Sequence, residues 1–194
     1  MSNPEVLAKA EHTPHKVIAI THGTSALGKA LCEVFASAGA TVYALDTDAT
    51  ALAHMSISFR QNKLRLRGVP CDLESEASIT EAIQEITSHA PPVDLWIHAC
   101  ALTTEAVDSL KLAFTAFGRH FDMRGKGHIS LLIPPTLKAE ERTIIQEILS
   151  ESELTKITAI NLVNTKETTP SKIAIQVFNI STNTPGIHLH SIDS

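Results

Sequence analysis

The chain has one tyrosine, Tyr43, one tryptophan, Trp96, and only 4% aromatic residues over 194 positions. Chemistry that needs a tyrosine proton donor therefore has one position to draw on, and Tyr43 sits in an apolar run that reads as a buried strand. No asparagine lies between Asn62 and Asn161. The three cysteines, Cys32, Cys71 and Cys100, are odd in number and set among apolar residues. That argues against a disulfide framework and for buried free thiols in a reducing compartment. No apolar run approaches the ~20 residues of a membrane-spanning helix. The net charge of −5 gives no basic footprint for nucleic acid or anionic lipid. Residues 1–15 carry no basic segment followed by an apolar one, so a cytoplasmic location is expected, and they read as a flexible arm.

What is present is an alternation of short apolar, β-rich runs with helical patterns, at 43% hydrophobic residues. That alternation predicts an α/β fold, a parallel sheet covered by helices, in one domain over 16–194. Strands are expected at Lys16–Thr21, Thr41–Leu45, Leu64–Val69, Val93–Ala99, His128–Ile133, Lys156–Leu162 and Ile187–Ile192. Between them lies a helix over 25–38, with Leu27, Leu31, Val34, Phe35 and Ala38 at helical spacing and Gly39 suited to the C′ position. A helix over 49–61 follows, then one capped by Ser75 and stopped by Pro91–Pro92. A helix over 104–121 carries a stripe of Val107, Leu110, Phe114, Phe117 and Phe121, which marks a core face. Gly125–Gly127 reads as a turn, and helices are expected over 139–150 and 171–180. No internal repeat or low-complexity segment is visible.

The run Thr21-His22-Gly23-Thr24-Ser25-Ala26-Leu27-Gly28, set between a strand and a helix, resembles the Thr-Gly-x-x-x-Gly-x-Gly phosphate loop of the short-chain dehydrogenase/reductase family. Glycines there let the backbone approach a pyrophosphate, and the helix start offers free N–H groups and the positive end of its dipole. The resemblance implies a Rossmann-like, doubly wound sandwich with a seven-stranded, mostly parallel sheet of order 3-2-1-4-5-6-7. It also implies cofactor contacts from Gly23, Thr24, Ser25, Leu27, Gly28, Asp46, Asp72 and Leu73. Asp46, closing the second strand, corresponds to the acidic residue that bonds an adenine ribose and repels a 2′-phosphate, which favours NAD over NADP. It also reads as a turn residue in Asp46-Thr47-Asp48. Asp72 and Leu73 resemble the pair that lines the adenine, and Asp72 reads equally as a helix-start residue before Ser75.

The likeness breaks where the family does its chemistry. The first loop glycine is His22 and the second is Ala26. The family's Asn-Asn-Ala-Gly is His98-Ala99-Cys100-Ala101. The fifth strand ends Ile133-Pro134-Pro135 in place of a serine, and no Tyr-x-x-x-Lys follows. The candidates for a displaced acid are His98, Cys100 and Lys138. His98 and Cys100 share a strand face but read as buried structural residues, and Lys138 as a solvated helix-start residue. His188 and His190 alternate on the last strand, and without a third ligand they read as edge-strand polar residues. No metal site is expected. The resemblance covers residues 16–193, its adenosine half better kept than its nicotinamide half.

The leading expectation is a catalytically impaired relative, a pseudoenzyme that binds a nucleotide or serves as a partner subunit. Its interface, in a homodimer or with an active homologue, is expected through Ser171–Ile192. The alternatives are an NAD-dependent oxidoreductase with a displaced acid, and an interaction module with no nucleotide, in which His22 and Ala26 fill the phosphate site from within.

Overall fold

The computed structural model describes residues 16–99, 107–133, 143, 159–164, 169–183 and 186–190. The chain runs β1 (Val17–Thr21), α1 (Ala26–Ser37), β2 (Thr41–Asp46), α2 (Ala49–Gln61), β3 (Leu66–Pro70), α3 (Glu76–His89), β4 (Leu95–His98), α4 (Val107–Arg124), β5 (His128–Ile133), β6 (Ala159–Asn164), α5 (Pro170–Asn183) and β7 (Gly186–His190). The sheet has the expected order, β3-β2-β1-β4-β5-β6-β7, and every pairing is parallel.

The strands alternate as the pleat requires. In β1, Val17 and Ala19 face one core layer while Ile18 and Ile20 face the other. The first layer holds Ile79, Ala82 and Ile86 of α3 and Leu110, Phe114, Phe117 and Phe121 of α4. Trp96 is fully buried there and stacks on Phe117 at 4.8 Å and 6°. The second layer holds Leu31 and Phe35 of α1, Leu52 and Met55 of α2, and Val177 and Phe178 of α5. Phe35 meets Phe178 edge-on at 5.2 Å.

The capping chemistry works largely as read. Ser25 caps α1 by accepting from the Gly28 amide, and Ser75 caps α3 by accepting from the Ser78 amide. Gly39 follows α1 with φ +88, where a side chain would be strained. Where the residues on both sides of a boundary are described, it moves by at most three residues, as frayed ends do. α4 runs on to Arg124, past the expected stop at Phe121, because the Arg124 guanidinium is anchored: it donates to the Pro92 and Val93 carbonyls (3.0 and 2.6 Å) and pairs with Asp94 at 3.0 Å. The arm expected over 1–15, the helix expected over 139–150 apart from residue 143, Cys100 and Lys138 lie outside the described residues.

Gly28 sets how closely α1 approaches the sheet. A Cβ there would run into the His22 carbonyl oxygen and lie 2.8 Å from the Gly23 Cα. Both are backbone atoms that no rotamer change can move aside. Gly28→Ala is therefore expected to lower stability by about 1–3 kcal/mol or more, read as a reduced urea midpoint with an unchanged slope.

Candidate functional site

The carboxyl ends of β1, β2 and β3, with the loops that follow, enclose a cleft of ≈ 150 Å³ lined by His22, Leu45, Asp46, Thr47, Cys71, Asp72, Leu73, Glu74 and Ser109. This is where open parallel sheets place ligands. Of the residues singled out in the sequence, Asp46, Asp72 and Leu73 meet in its wall. Gly23 and Gly28 serve the backbone packing beneath it, and a Cβ on Gly23 would lie 2.7 Å from that of Ala44.

Asp46 is the centre of the loop's own hydrogen bonding. Its Oδ2 accepts from the Thr24 amide (3.0 Å) and the Thr24 hydroxyl (2.7 Å). Its Oδ1 accepts from the Thr47 amide at 2.9 Å, with the Asp48 amide at 3.5 Å. Burial pushes the Asp46 carboxyl upward, but these donors favour the ionised form more, so its pKa lies below the usual carboxylate range. Asp46 thus shapes the turn, as one of the two readings had it, and lines the cleft. Asp72 does likewise. Its Oδ1 accepts from the Glu74 amide and its own amide donates to Ser78 Oγ, while it lines the cleft. The role of Thr24 as a tie to Asp46 was not legible, because a phosphate-loop threonine is expected to face the ligand.

His22 takes the place of the first loop glycine and adopts the left-handed conformation a glycine would, with φ 55. Such a backbone costs a non-glycine residue of order 1 kcal/mol. His22 lines the cleft, and its ring meets the His98 ring edge-on at 5.1 Å. Burial lowers the His22 pKa against the opposing pull of Asp46.

His98 ends β4 and is fully buried. Its Nδ1 is hydrogen-bonded to Thr21 Oγ1 at 3.0 Å, and that hydroxyl also lies 3.4 Å from the Ile97 carbonyl. Whichever group donates, Nε2 has no partner among the described residues. Burial, with His22 adding to it, pulls the His98 pKa down to about 3. At neutral pH the ring is uncharged and is a poor general acid. Cys71 is similarly muted, its thiol pushed up to about 11 by burial and by Asp72. Tyr43 is buried in β2, its hydroxyl pKa raised by burial. Among the described residues no three His, Cys, Asp or Glu side chains group as metal ligands, and no helix is long and apolar enough to cross a membrane.

A family model described as short chain dehydrogenase matches residues 16–162. The cis-2,3-dihydrobiphenyl-2,3-diol dehydrogenases of Paraburkholderia xenovorans (strain LB400) and Pseudomonas putida are each 28% identical over 134 residues, covering 67% of this chain and 48% of the relative. The chain therefore spans about half the length of the curated relatives it matches. A short chain dehydrogenase from Mycobacterium smegmatis superposes with a TM-score of 0.75 at 15% identity, over 94% of this chain and 95% of that one. The hydroxysteroid dehydrogenase of Escherichia coli gives 0.74 at 16%, over 93% and 97%. A metagenomic short-chain oxidoreductase in complex with NADP gives 0.71 at 16%, over 89% and 93%. These structures share the fold.

The buried histidine makes stability pH-dependent. Below about pH 6.5 an unfolded His98 takes up a proton that the folded site refuses until about pH 3. Its contribution is therefore complete above pH 6.5 and lost as pH falls from there towards 3, by up to about 1.4 kcal/mol per pH unit. His22 shifts in the same direction and Asp46 adds its loss only below about pH 4. Urea unfolding at pH 7.5, 6 and 5 should show falling midpoints, and His98→Gln should flatten the trend. Unchanged midpoints in the parent chain would mean that His98 protonates in place.

Proposed function

This chain belongs to the short-chain dehydrogenase family, and from that premise we propose that it works as an adenine-nucleotide-binding member and not as a dehydrogenase. The family consists of oxidoreductases that generally bind NAD or NADP. The carrying observation is the contrast between the two halves of the site. The residues read for the adenosine half support it: Asp46, Asp72 and Leu73 line one cleft with His22 of the loop that leads into α1, where Ser25 caps one of the amides a helix start leaves without intrahelical partners. The sole tyrosine is packed in the core of β2, and His98 is held neutral. Neither of these described residues is set to hand a proton to a substrate oxygen as such a dehydrogenase does.

At the adenosine end the residues fit a full dinucleotide. Three carboxylates, Asp46, Asp72 and Glu74, edge the cleft with no lysine or arginine among its lining residues, which favours NAD over NADP because a 2′-phosphate would meet like charge. At the phosphate turn they fit poorly, since the His22 side chain stands where the family has none. The ≈ 150 Å³ of the cleft is also below the 300 Å³ or so at which drug-sized sites begin. That size and the His22 ring favour a second reading, an interaction module without nucleotide.

Calorimetric titration with ADP, NAD, NADH and NADPH separates these readings. Binding of ADP and NADH in the micromolar range, weakened about tenfold in Asp46→Ala, supports the nucleotide reading. A His22→Gly variant should bind the dinucleotides more tightly than the parent. No binding up to millimolar concentrations supports the interaction module. NADH oxidation that depends on a carbonyl substrate would overturn both and point to a displaced acid.

Self-association, or pairing with an active homologue, is assigned to Ser171–Ile192. Support comes from β7, which is the edge of the described sheet and leaves one row of backbone groups without a strand partner. Sedimentation should show a dimer that a proline at Leu189 disrupts. A monomer at all concentrations, mixed or alone, would remove this assignment.

A further inference from the structure

A second cleft, of ≈ 140 Å³, opens at the opposite end of the sheet and is lined by Lys16, Asp94, Leu95, Arg124, Lys126, Gly127 and His128. β1 is five residues long, so the two clefts lie roughly 16 Å apart along the strand. Four of the seven lining residues are basic, on a chain whose net charge is −5.

The charges in this cleft are arranged unequally. Asp94, its only acid, is already engaged: Oδ1 pairs with Arg124 at 3.0 Å and Oδ2 accepts from the Val17 amide at 2.9 Å. Arg124 is spent in turn on Asp94 and on the Pro92 and Val93 carbonyls. Neither Lys16 nor Lys126 forms an ion pair among the described residues. Two lysines therefore remain in the lining beside an acid that is itself neutralised. The rim is also fixed. Gly127 is buried so tightly that a Cβ would strike the Phe121 ring, and it holds Lys126 and His128 on either side of it. The His128 amide is bound to the Asp94 carbonyl at 3.0 Å. The half-buried His128 ring registers the local field. Burial lowers its pKa first, and the push from Lys16 then exceeds the pull from Asp94.

We propose that this cleft binds a small doubly charged oxyanion of the phosphate class, held between the Lys16 and Lys126 ammonium groups above the Asp94–Arg124 pair. A compact dianion matches two unneutralised cations on one fixed rim. A monocarboxylate would leave one lysine unmatched. The site shares no residue with the β1–β3 cleft and stands whether or not a nucleotide binds there.

Inorganic phosphate is the probe, titrated into the full chain at an ionic strength of about 10 mM, where surface charges are least screened. Calorimetry and the His128 ring resonances are read together. Arg124 is left intact because its bonds hold α4 to the start of β4, and the test variant is Lys16→Ala/Lys126→Ala on the rim. Saturable binding by the parent, weaker by on the order of tenfold in the double variant, with the His128 resonances moving only in the parent, is the expected result. An equal affinity in the double variant would place phosphate elsewhere, at the α1 N-terminus for one, and would overturn the proposal. So would the absence of saturable binding by the parent up to about 10 mM phosphate.

Discussion

The seating of α1 on the end of β1, with Gly28 pressed against the His22 carbonyl and the Gly23 backbone, is the contact from which the rest follows. It fixes the distance between helix and sheet. That distance lets Phe35 reach Phe178, so α1 and α5 close one core layer together. It also fixes the loop from His22 to Ser25, and with it one wall of the β1–β3 cleft. Close packing of this kind tolerates little volume change, so the position remains glycine even though the two other glycines of the family's loop pattern are absent.

With those glycines gone, the loop is held by polar ties. Thr24 donates twice to Asp46, and Asp46 in turn holds the start of the following turn. The left-handed backbone of His22 is steadied by its ring, which packs edge-on against His98. A turn that glycine would make by conformational freedom is made here by side chains bonded to one another. The cleft is thereby a formed feature whose wall carries negative charge and neutral imidazole.

Much of this was legible in the chain. The strand order, the parallel sheet, the Ser25 and Ser75 caps and the phenylalanine stripe of α4 all follow from local patterns that the tertiary structure does not override. The placement of Asp46, Asp72 and Leu73 in one wall followed from the family resemblance. What escaped were contacts between residues distant in sequence. The bond of Thr24 to Asp46, the bond of Thr21 to His98, the place of Ser109 in the cleft and the Val17–Asp94–Arg124 clamp each join separate elements. Periodicity carries no signal for such pairs. The Arg124 anchor shows the cost: the apolar stripe ends at Phe121, while the helix continues to the side chain that holds it.

The flat stack of Trp96 on Phe117 has an optical consequence. Trp96 is the chain's only indole, it lies in β4 between α4 and the His98 ring, and that ring is 6.0 Å away. A protein with one tryptophan has one emission band to interpret. Here that band originates in a buried aromatic layer that also touches the His98 ring, so its wavelength and lifetime follow the sliding of α4, wetting of the core and the charge on His98. The molecule carries its own fluorophore at the point where its fold and its cleft meet, and an unlabelled sample in a cuvette is enough to watch both.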